Sequence, residues 1–197
     1  MNKNELNAPD LHEEKHHKKK KKKKNADRGI ETMFRLTSKN HFTLSAIADN
    51  KASTLISISA LIISIIVSVL IGKIDEDPDL IVPTVLLLIT LMGTIIFAVL
   101  STRPKVTSLS MTRENIVQRQ GNLLFFGNFI NMPVEDYEWG MQELMDDREY
   151  LYNNLIRDIY YLGKVLDKKY RYLRYAYNIF MFGLIISVLT YIFAFAF

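Results

Sequence analysis

Three long segments of the sequence contain no charged side chain, and they constrain the fold more than any other feature. They cover residues 52–72, 80–100 and 176–197. A helix rises about 1.5 Å per residue, so about 20 residues cross the roughly 30 Å hydrocarbon core of a bilayer. The rest of the chain is too small and too polar to enclose three such helices in a soluble core. The sequence therefore predicts an all-α membrane protein with three transmembrane helices.

Basic residues flank these segments unevenly, and their placement predicts the orientation. A lysine run, Lys18–Lys24, precedes the first segment, and Arg103 and Lys105 follow the second. The connection between the first two segments, residues 73–79, has four acidic residues and one lysine. Loops rich in Lys and Arg stay on the cytoplasmic side. We therefore expect the N-terminus inside, residues 102–175 in the cytosol and the C-terminus outside.

The charged segments divide into three regions. Residues 1–27 are of low complexity and predict a disordered basic tail that also favours anionic lipid. Residues 28–51 show helical spacing of apolar residues and predict a cytosolic entry helix that continues straight into the first span. It is either one helix from about Glu31 or two helices joined near Thr37 and Ser38. Residues 102–175 form the main cytosolic region.

A long amphipathic helix is predicted in the main cytosolic region, opening at Pro133 and leading into the third span. Its apolar side chains recur every three or four residues, the spacing of one helix face. These residues are Leu151, Leu155, Ile159, Leu162, Leu166, Tyr170 and Leu173. We expect this face to pack on the entry helix. Before it, the apolar run 122–130 is too short to cross a bilayer and fits a buried strand, a reentrant corner or a membrane-surface patch.

Small side chains follow one face of the first span. They are Ser53, Ser57, Ala60, Ser64 and Ser68, which lie within an arc of about 80° at 100° per residue. Such a face allows close helix packing in a membrane, or it lines a narrow hydrated path when several copies surround an axis. Both interpretations place this face against protein rather than lipid.

The sequence contains no signature of an enzyme. It has no cysteine, no phosphate-binding glycine loop, no paired-histidine zinc motif and no nucleophile elbow. The four histidines are scattered or lie in the tail, so we expect no metal site and no cofactor. A lysine run without a reader fold does not predict nucleic-acid binding.

Several short motifs, in order along the chain, resemble the transmembrane effector of Pycsar antiphage systems. The resemblance covers about residues 28–197. The motifs are residues 28–35 (RGIETMFR), Asn40-His41, residues 47–53 (IADNKAS), residues 125–129 (FFGNF) and Tyr137.

The resemblance implies a function in antiphage defence. In that family a partner pyrimidine cyclase makes cyclic CMP or cyclic UMP on infection, and the nucleotide activates a membrane effector. The effector impairs the bacterial inner membrane, and the cell stops growing before phage are released (abortive infection). We therefore expect a multi-pass inner-membrane protein that acts as a homo-oligomer in the lipid bilayer, because one chain of three helices cannot enclose a pore.

The resemblance does not locate the ligand, so the candidates rest on chemistry. A cyclic phosphate is bound best by a cationic side chain. A pyrimidine base is bound by stacking on an aromatic ring and by hydrogen bonds with a side-chain amide. The candidates for ligand contact are Arg103, Lys105, Arg113, Arg119, Asn128 and Phe129, with Phe126, Tyr137 and Trp139 beside them. Gating or pore candidates are Asp49, Lys51, Ser53, Ser57, Ser64 and Ser68.

Two other functions fit the same sequence. One is a membrane-anchored sensor that recruits a cytosolic partner through the acidic stretch 135–149. The other is a small membrane toxin that needs no ligand.

Overall fold

The structure is a computed structural model that describes residues 8–69, 78–104 and 111–196. The chain divides into two units, residues 1–40 and residues 41–197. Six helices follow one another in the described part. They are α1 (Ala8–Val69), α2 (Ile81–Thr102), α3 (Arg113–Val117), α4 (Phe126–Phe129), α5 (Val134–Asp146) and α6 (Arg148–Ala196), with a 3₁₀ turn at Pro78–Leu80 before α2.

Three of these helices are long and apolar enough to cross a membrane, which confirms the predicted fold class. They are the helical segments His17–Ser68, Pro78–Thr102 and Arg148–Ala196. The predicted first span reaches residue 72, and its last three residues lie outside the described part. Large apolar side chains such as Leu61, Ile89 and Phe193 are exposed along all three, as expected for surfaces in contact with lipid. The orientation of the spans stays a prediction.

The basic tail differs from the prediction. We expected residues 1–27 to be disordered, whereas the structure describes residues 8–27 as part of α1. Lysine is a good helix former because its unbranched stem loses little freedom in a helix. The low complexity that suggested disorder is therefore compatible with helical backbone. Residues 1–7 lie outside the described part.

Helices α2 and α6 pack closely along the membrane segment. Thr84 Oγ1 lies 2.9 Å from Tyr191 Oη. At the other end Ser101 Oγ donates to the backbone oxygen of Lys169 at 3.0 Å. Between these contacts a Cβ added at Gly183 would overlap the side chain of Thr90. Small residues thus let the two backbones approach, as is common between membrane helices.

Helix α1 packs on this pair near the basic end of the spans. Ala48, Ala52 and Leu55 of α1 form one buried cluster with Ala98 of α2 and with two residues of α6. The two α6 residues are Leu173 and Ala176. Leu173, with Tyr170 beside it, is the end of the predicted apolar face of the long helix, and this end packs against residues 48–55 of α1. Leu151, at the other end of that face, packs on a different cluster.

The region between α2 and α6 is a small helical module around a second buried cluster. Met111, Ile116, Leu123, Leu144 and Tyr150 form this cluster. The apolar run 122–130 is not a strand, since its backbone forms turns and the four-residue helix α4. The amides of the run favour this arrangement, because Asn122 Oδ1 accepts from Leu124 N and so closes a tight turn.

The long amphipathic helix is interrupted at Asp147, contrary to the prediction of one helix from Pro133. Pro133 does precede α5, but α5 ends at Asp146 and α6 begins at Arg148. Asp147 Oδ1 accepts hydrogen bonds from Glu149 N at 2.9 Å and Tyr150 N at 3.0 Å. A carboxylate in this position caps the start of a helix, and that local bond competes with continuing α5.

Candidate functional site

A cavity of about 210 Å³ lies at the junction of α3, α5 and α6; we call it the Arg119 cavity. Its lining combines a cation, two carboxylates and two aromatic rings. The lining residues are Ile116, Val117, Arg119, Trp139, Glu143, Asp147 and Tyr150. The Arg119 side chain is 60% exposed, so the cavity is open to solvent on that side.

Arg119 has a backbone conformation that normally favours glycine. Its φ angle is +55°, and it is the one non-glycine residue with positive φ in the described ranges. It follows the end of α3, where Arg119 N donates to Ile116 O and Gln120 N donates to Asn115 O. These two bonds form a Schellman motif, whose left-handed position is usually Gly. An arginine there costs about 1–2 kcal/mol, and such strain is most common at functional sites.

The guanidinium of Arg119 pairs with the carboxylate of Asp147. The backbone N–H of Tyr150, and then the charge of Arg119, hold the pKa of Asp147 below its usual value of 3.8. The same carboxylate therefore caps α6 and neutralises the cation of the cavity. Arg157 Nη1 also bonds Arg119 O at 3.3 Å and Gly121 O at 3.2 Å, so α6 holds the loop that carries Arg119.

Aromatic rings form the other part of the cavity. The guanidinium of Arg113 lies 4.7 Å from the centre of the Trp139 ring and pairs with Asp136 at 3.2 Å. Tyr150 is 4% exposed, and its hydroxyl has no hydrogen-bond partner among the described residues. Burial raises the pKa of this phenol. A buried hydroxyl without a partner is costly, and ligand groups or water commonly satisfy one.

Arg103 lies elsewhere, in a cavity of about 300 Å³ between the end of α2 and α6. We call it the Arg103 cavity. The structure thus separates Arg103 from Arg113 and Arg119, which the sequence grouped together. Lys105 lies outside the described residues.

A family comparison decides what kind of protein carries these features. A model of the Pycsar effector protein domain matches residues 32–196, which is most of the chain. The chain belongs to the Pycsar effector family. Membership gives it a role as an effector in antiphage defence, links it to a cyclase system and agrees with its three membrane helices. Comparisons with curated proteins and with solved structures gave no match.

In this Pycsar effector, Asn128 and Phe129 support the helical module and line neither cavity. Asn128 Nδ2 donates to Asn122 O at 2.7 Å, and Asn128 O accepts from Met111 N at 3.1 Å. The ring of Phe129 lies 4.6 Å from that of Tyr137. These contacts indicate that Asn128 and Phe129 of the FFGNF motif stabilise the fold of the helical module rather than contact a ligand.

The two charged gating candidates of the effector differ in their surroundings. Lys169 Nζ lies 2.8 Å from both carboxylate oxygens of Asp49 and 2.8 Å from Ser45 Oγ. Asp49 thus ties α1 to α6. Lys51 is exposed and has no ion pair with a described residue. The sequence did not predict the role of Lys169. This lysine belongs to the basic residues before the third span, whose placement in the sequence indicates only the membrane orientation.

The small-residue face of α1 is exposed in this effector chain. Ser53, Ser57, Ala60, Ser64 and Ser68 are all accessible. The face of α1 that is buried carries other residues, namely Ala52, Leu55, Ser59 and Ile66. The serine face therefore does not pack within one chain, and its contact with protein rather than lipid stays a prediction.

Proposed function

We propose that this effector is activated by a cyclic pyrimidine nucleotide, cyclic CMP or cyclic UMP, which binds in the Arg119 cavity. Activation makes the membrane helices impair the inner membrane and so ends the infection before phage are released. The observation that carries the proposal is Arg119, a strained cation paired with the carboxylate that caps the helix of the third span.

The cavity offers a complementary group for each part of the nucleotide. The Arg119 guanidinium suits the single negative charge of the cyclic phosphate. Trp139 offers a ring face to the base, and the carboxylate of Glu143 can accept a hydrogen bond from the amino group of cytosine. With a volume of about 210 Å³ the cavity would hold part of the nucleotide and leave the rest at its open side.

Competition for Arg119 would couple this site to the membrane. A bound phosphate takes the guanidinium from Asp147, and that carboxylate also caps the first turn of α6. Helix α6 continues from this turn to Ala196 without a break. Nucleotide binding would thereby change the joint between α5 and the helix that forms the third span.

Arg119→Gly tests the site, since it removes the guanidinium without harming the backbone. Glycine adopts positive φ without strain, so we expect the melting temperature to be unchanged or higher. A charge-assisted hydrogen bond contributes about 1.5–3 kcal/mol, so the nucleotide-dependent part of the release should need about tenfold to a hundredfold more nucleotide. Because the variant also frees Asp147 from its ion pair, its release without nucleotide should rise above that of the unaltered protein. The measurement is dye release from vesicles carrying the full chain, with cyclic CMP, UMP, AMP and GMP added separately.

The matched control is Arg148→Gln, which removes a cation at the same joint but outside the cavity lining. It should respond like the unaltered protein. If the unaltered protein releases dye without any cyclic pyrimidine nucleotide, or releases none with either cyclic CMP or cyclic UMP, the proposed activation is refuted. Nucleotide-dependent release by Arg119→Gly at unaltered concentrations would refute the assignment of the cavity while leaving the activation standing.

We further propose that copies of the chain associate through the exposed serine face of α1. Ser64 Oγ bonds Ala60 O within its own helix at 2.9 Å. Such internal bonds allow serines to face an apolar phase and then to pack closely on a neighbouring helix. A ring of such faces would line the path through which the membrane loses its integrity.

Replacing Ser57, Ser64 and Ser68 with Leu tests this association. The triple variant should insert and bind nucleotide normally but release less than about a tenth of the dye, because leucine closes the narrow path. A control variant changes Ile58, Leu61 and Ile65, also exposed on α1, to Val, and should release dye normally. Normal release by the triple leucine variant would refute the role of the serine face.

A further inference from the structure

The Arg103 cavity lies at the boundary between the apolar and basic parts of the chain. One wall is the end of α2 with Leu100, Ser101, Arg103 and Pro104. The other wall is α6, with Val165, Lys168, Lys169 and Tyr172. Helix α2 carries no charge on the span side of Arg103, and α6 carries none beyond Arg174, so the cavity is close to the predicted depth of the lipid headgroups.

Two of the three cations that line this cavity, Arg103 and Lys168, have no acidic partner among the described residues. Lys169 is committed to Asp49 and Ser45. Lys168 Nζ lies 5.5 Å from the centre of the Tyr172 ring, and Arg103 has no side-chain partner among the described residues. No carboxylate lines the cavity. Two cations therefore face it without a counter-ion from the described chain, whereas Arg119 in the other cavity is paired.

The remaining lining is apolar and continues toward the spans. Leu100, Pro104 and Val165 give the cavity an apolar side, and Phe97 lies next to Tyr172 with ring centres 6.5 Å apart. A ligand that fits both parts has an anionic head and an apolar tail. Basic pockets between membrane helices on the cytoplasmic side bind lipid headgroups in this way.

We propose that the Arg103 cavity binds the phosphate diester of an anionic phospholipid, with Arg103 and Lys168 as its cationic contacts. The lipid bound there would stabilise the packing of α2 on α6. This site is separate from the nucleotide site and does not depend on it. A cyclic nucleotide also carries a phosphate diester, so the test must distinguish the two sources.

The test measures binding of dioctanoyl phosphatidylglycerol to the purified full chain in a neutral detergent, by native mass spectrometry and by thermal unfolding. Dioctanoyl phosphatidylcholine, cyclic CMP and inorganic phosphate are measured in parallel. We expect phosphatidylglycerol to bind and to raise the melting temperature, and the other three to leave this site empty. Each basic residue near a lipid headgroup contributes roughly fivefold in affinity, so Arg103→Gln with Lys168→Gln should weaken binding about thirtyfold.

The control double variant is Arg171→Gln with Arg174→Gln, which makes the same charge change on exposed positions of α6 outside the cavity. It should bind within about threefold of the unaltered protein. Equal losses in both double variants would overturn the proposal in favour of diffuse charge attraction, and equal binding of phosphatidylcholine would overturn the need for an anionic lipid.

The cavity would be a nucleotide site instead if cyclic CMP displaces phosphatidylglycerol. In that case the double variant of Arg103 and Lys168 would lose cyclic CMP binding, and Arg119→Gly would keep it. Should the double variant fail to fold, Arg103→Gln alone is measured. Unchanged phosphatidylglycerol affinity in that single variant would also overturn the proposal.

Discussion

Helix α6 is held in two different ways along its length. Beyond the membrane segment, buried amides fasten its first turns, since Asn154 Oδ1 accepts from Leu123 N and Asn122 Nδ2 donates to Asp158. Within the membrane segment, close approach of small residues such as Gly183 and Thr90 packs it on α2. Buried side-chain amides therefore specify the first section, whereas close steric fit, together with the Thr84–Tyr191 and Ser101–Lys169 contacts, specifies the second.

The largest effect is expected at Asn154, the residue on which the first section depends. Its amide is fully buried, and it bonds both Leu123 N and Tyr150 O. Asn154→Ala leaves the buried Leu123 N–H unpaired and also removes the side-chain bond to Tyr150 O, so it should lower the free energy of unfolding by about 3 kcal/mol. Asn153→Ala, at the exposed neighbouring position, should change it by less than about 0.5 kcal/mol. Chemical denaturation in detergent measures both, and equal effects would contradict the comparison.

A smaller loss is expected at Gly183, where the second section meets α2. An added methyl group would overlap Thr90, so Gly183→Ala should cost about 2 kcal/mol by forcing the helices apart. At Gly93 the same change places the methyl group 3.5 Å from Ile179 Cγ2, an ordinary contact. Gly93→Ala should therefore be neutral or stabilising. Unfolding in SDS measures the free energy of unfolding of both variants. An unchanged value for Gly183→Ala would show that steric fit does not determine the packing of α6 on α2.

The smallest effect is expected at the cap of α6 and depends on pH. The pKa of Asp147 is lowered in the folded protein, so its stabilisation is fully present above the ordinary value of 3.8 and is lost as the pH falls below it. At pH 6 Asp147→Asn should melt at a lower temperature than the unaltered protein, and the difference should shrink as the pH falls below 3.8. Asp146→Asn, at the exposed neighbour, should show no such crossover. A difference that persists at low pH would refute the ionic cap.

The sequence predicted the three spans because charge is excluded from hydrocarbon whatever the tertiary fold. It did not predict the break at Asp147, since the apolar spacing beyond Leu151 gives no sign of where the helix begins. Helical periodicity on α1 identified the serine face but not its partner. Ser59, which lies off that face, is the serine that is buried.

The candidate site was predicted only in part. Cations and aromatic residues are countable in a sequence, so Arg119 and Trp139 were found. The positive φ of Arg119 depends on how α3 ends, and its pairing with Asp147 joins residues separated by 27 intervening positions. The bond between Lys169 and Asp49 spans an even longer separation. Tertiary pairs of this kind carry no local signal.

Helix α6 has 49 residues and is about 73 Å long, more than twice the thickness of the hydrocarbon core. The section from Arg148 to the membrane boundary near Tyr175 accounts for about 40 Å of it. The predicted membrane boundary is the pivot about which this section would tilt. A tilt of only about 5° there displaces the far end by roughly 3.5 Å, which exceeds the length of a hydrogen bond. The exchange of ion-pair partners proposed at Asp147 would therefore need only a reorientation of the third span that is small compared with the usual range of helix tilts.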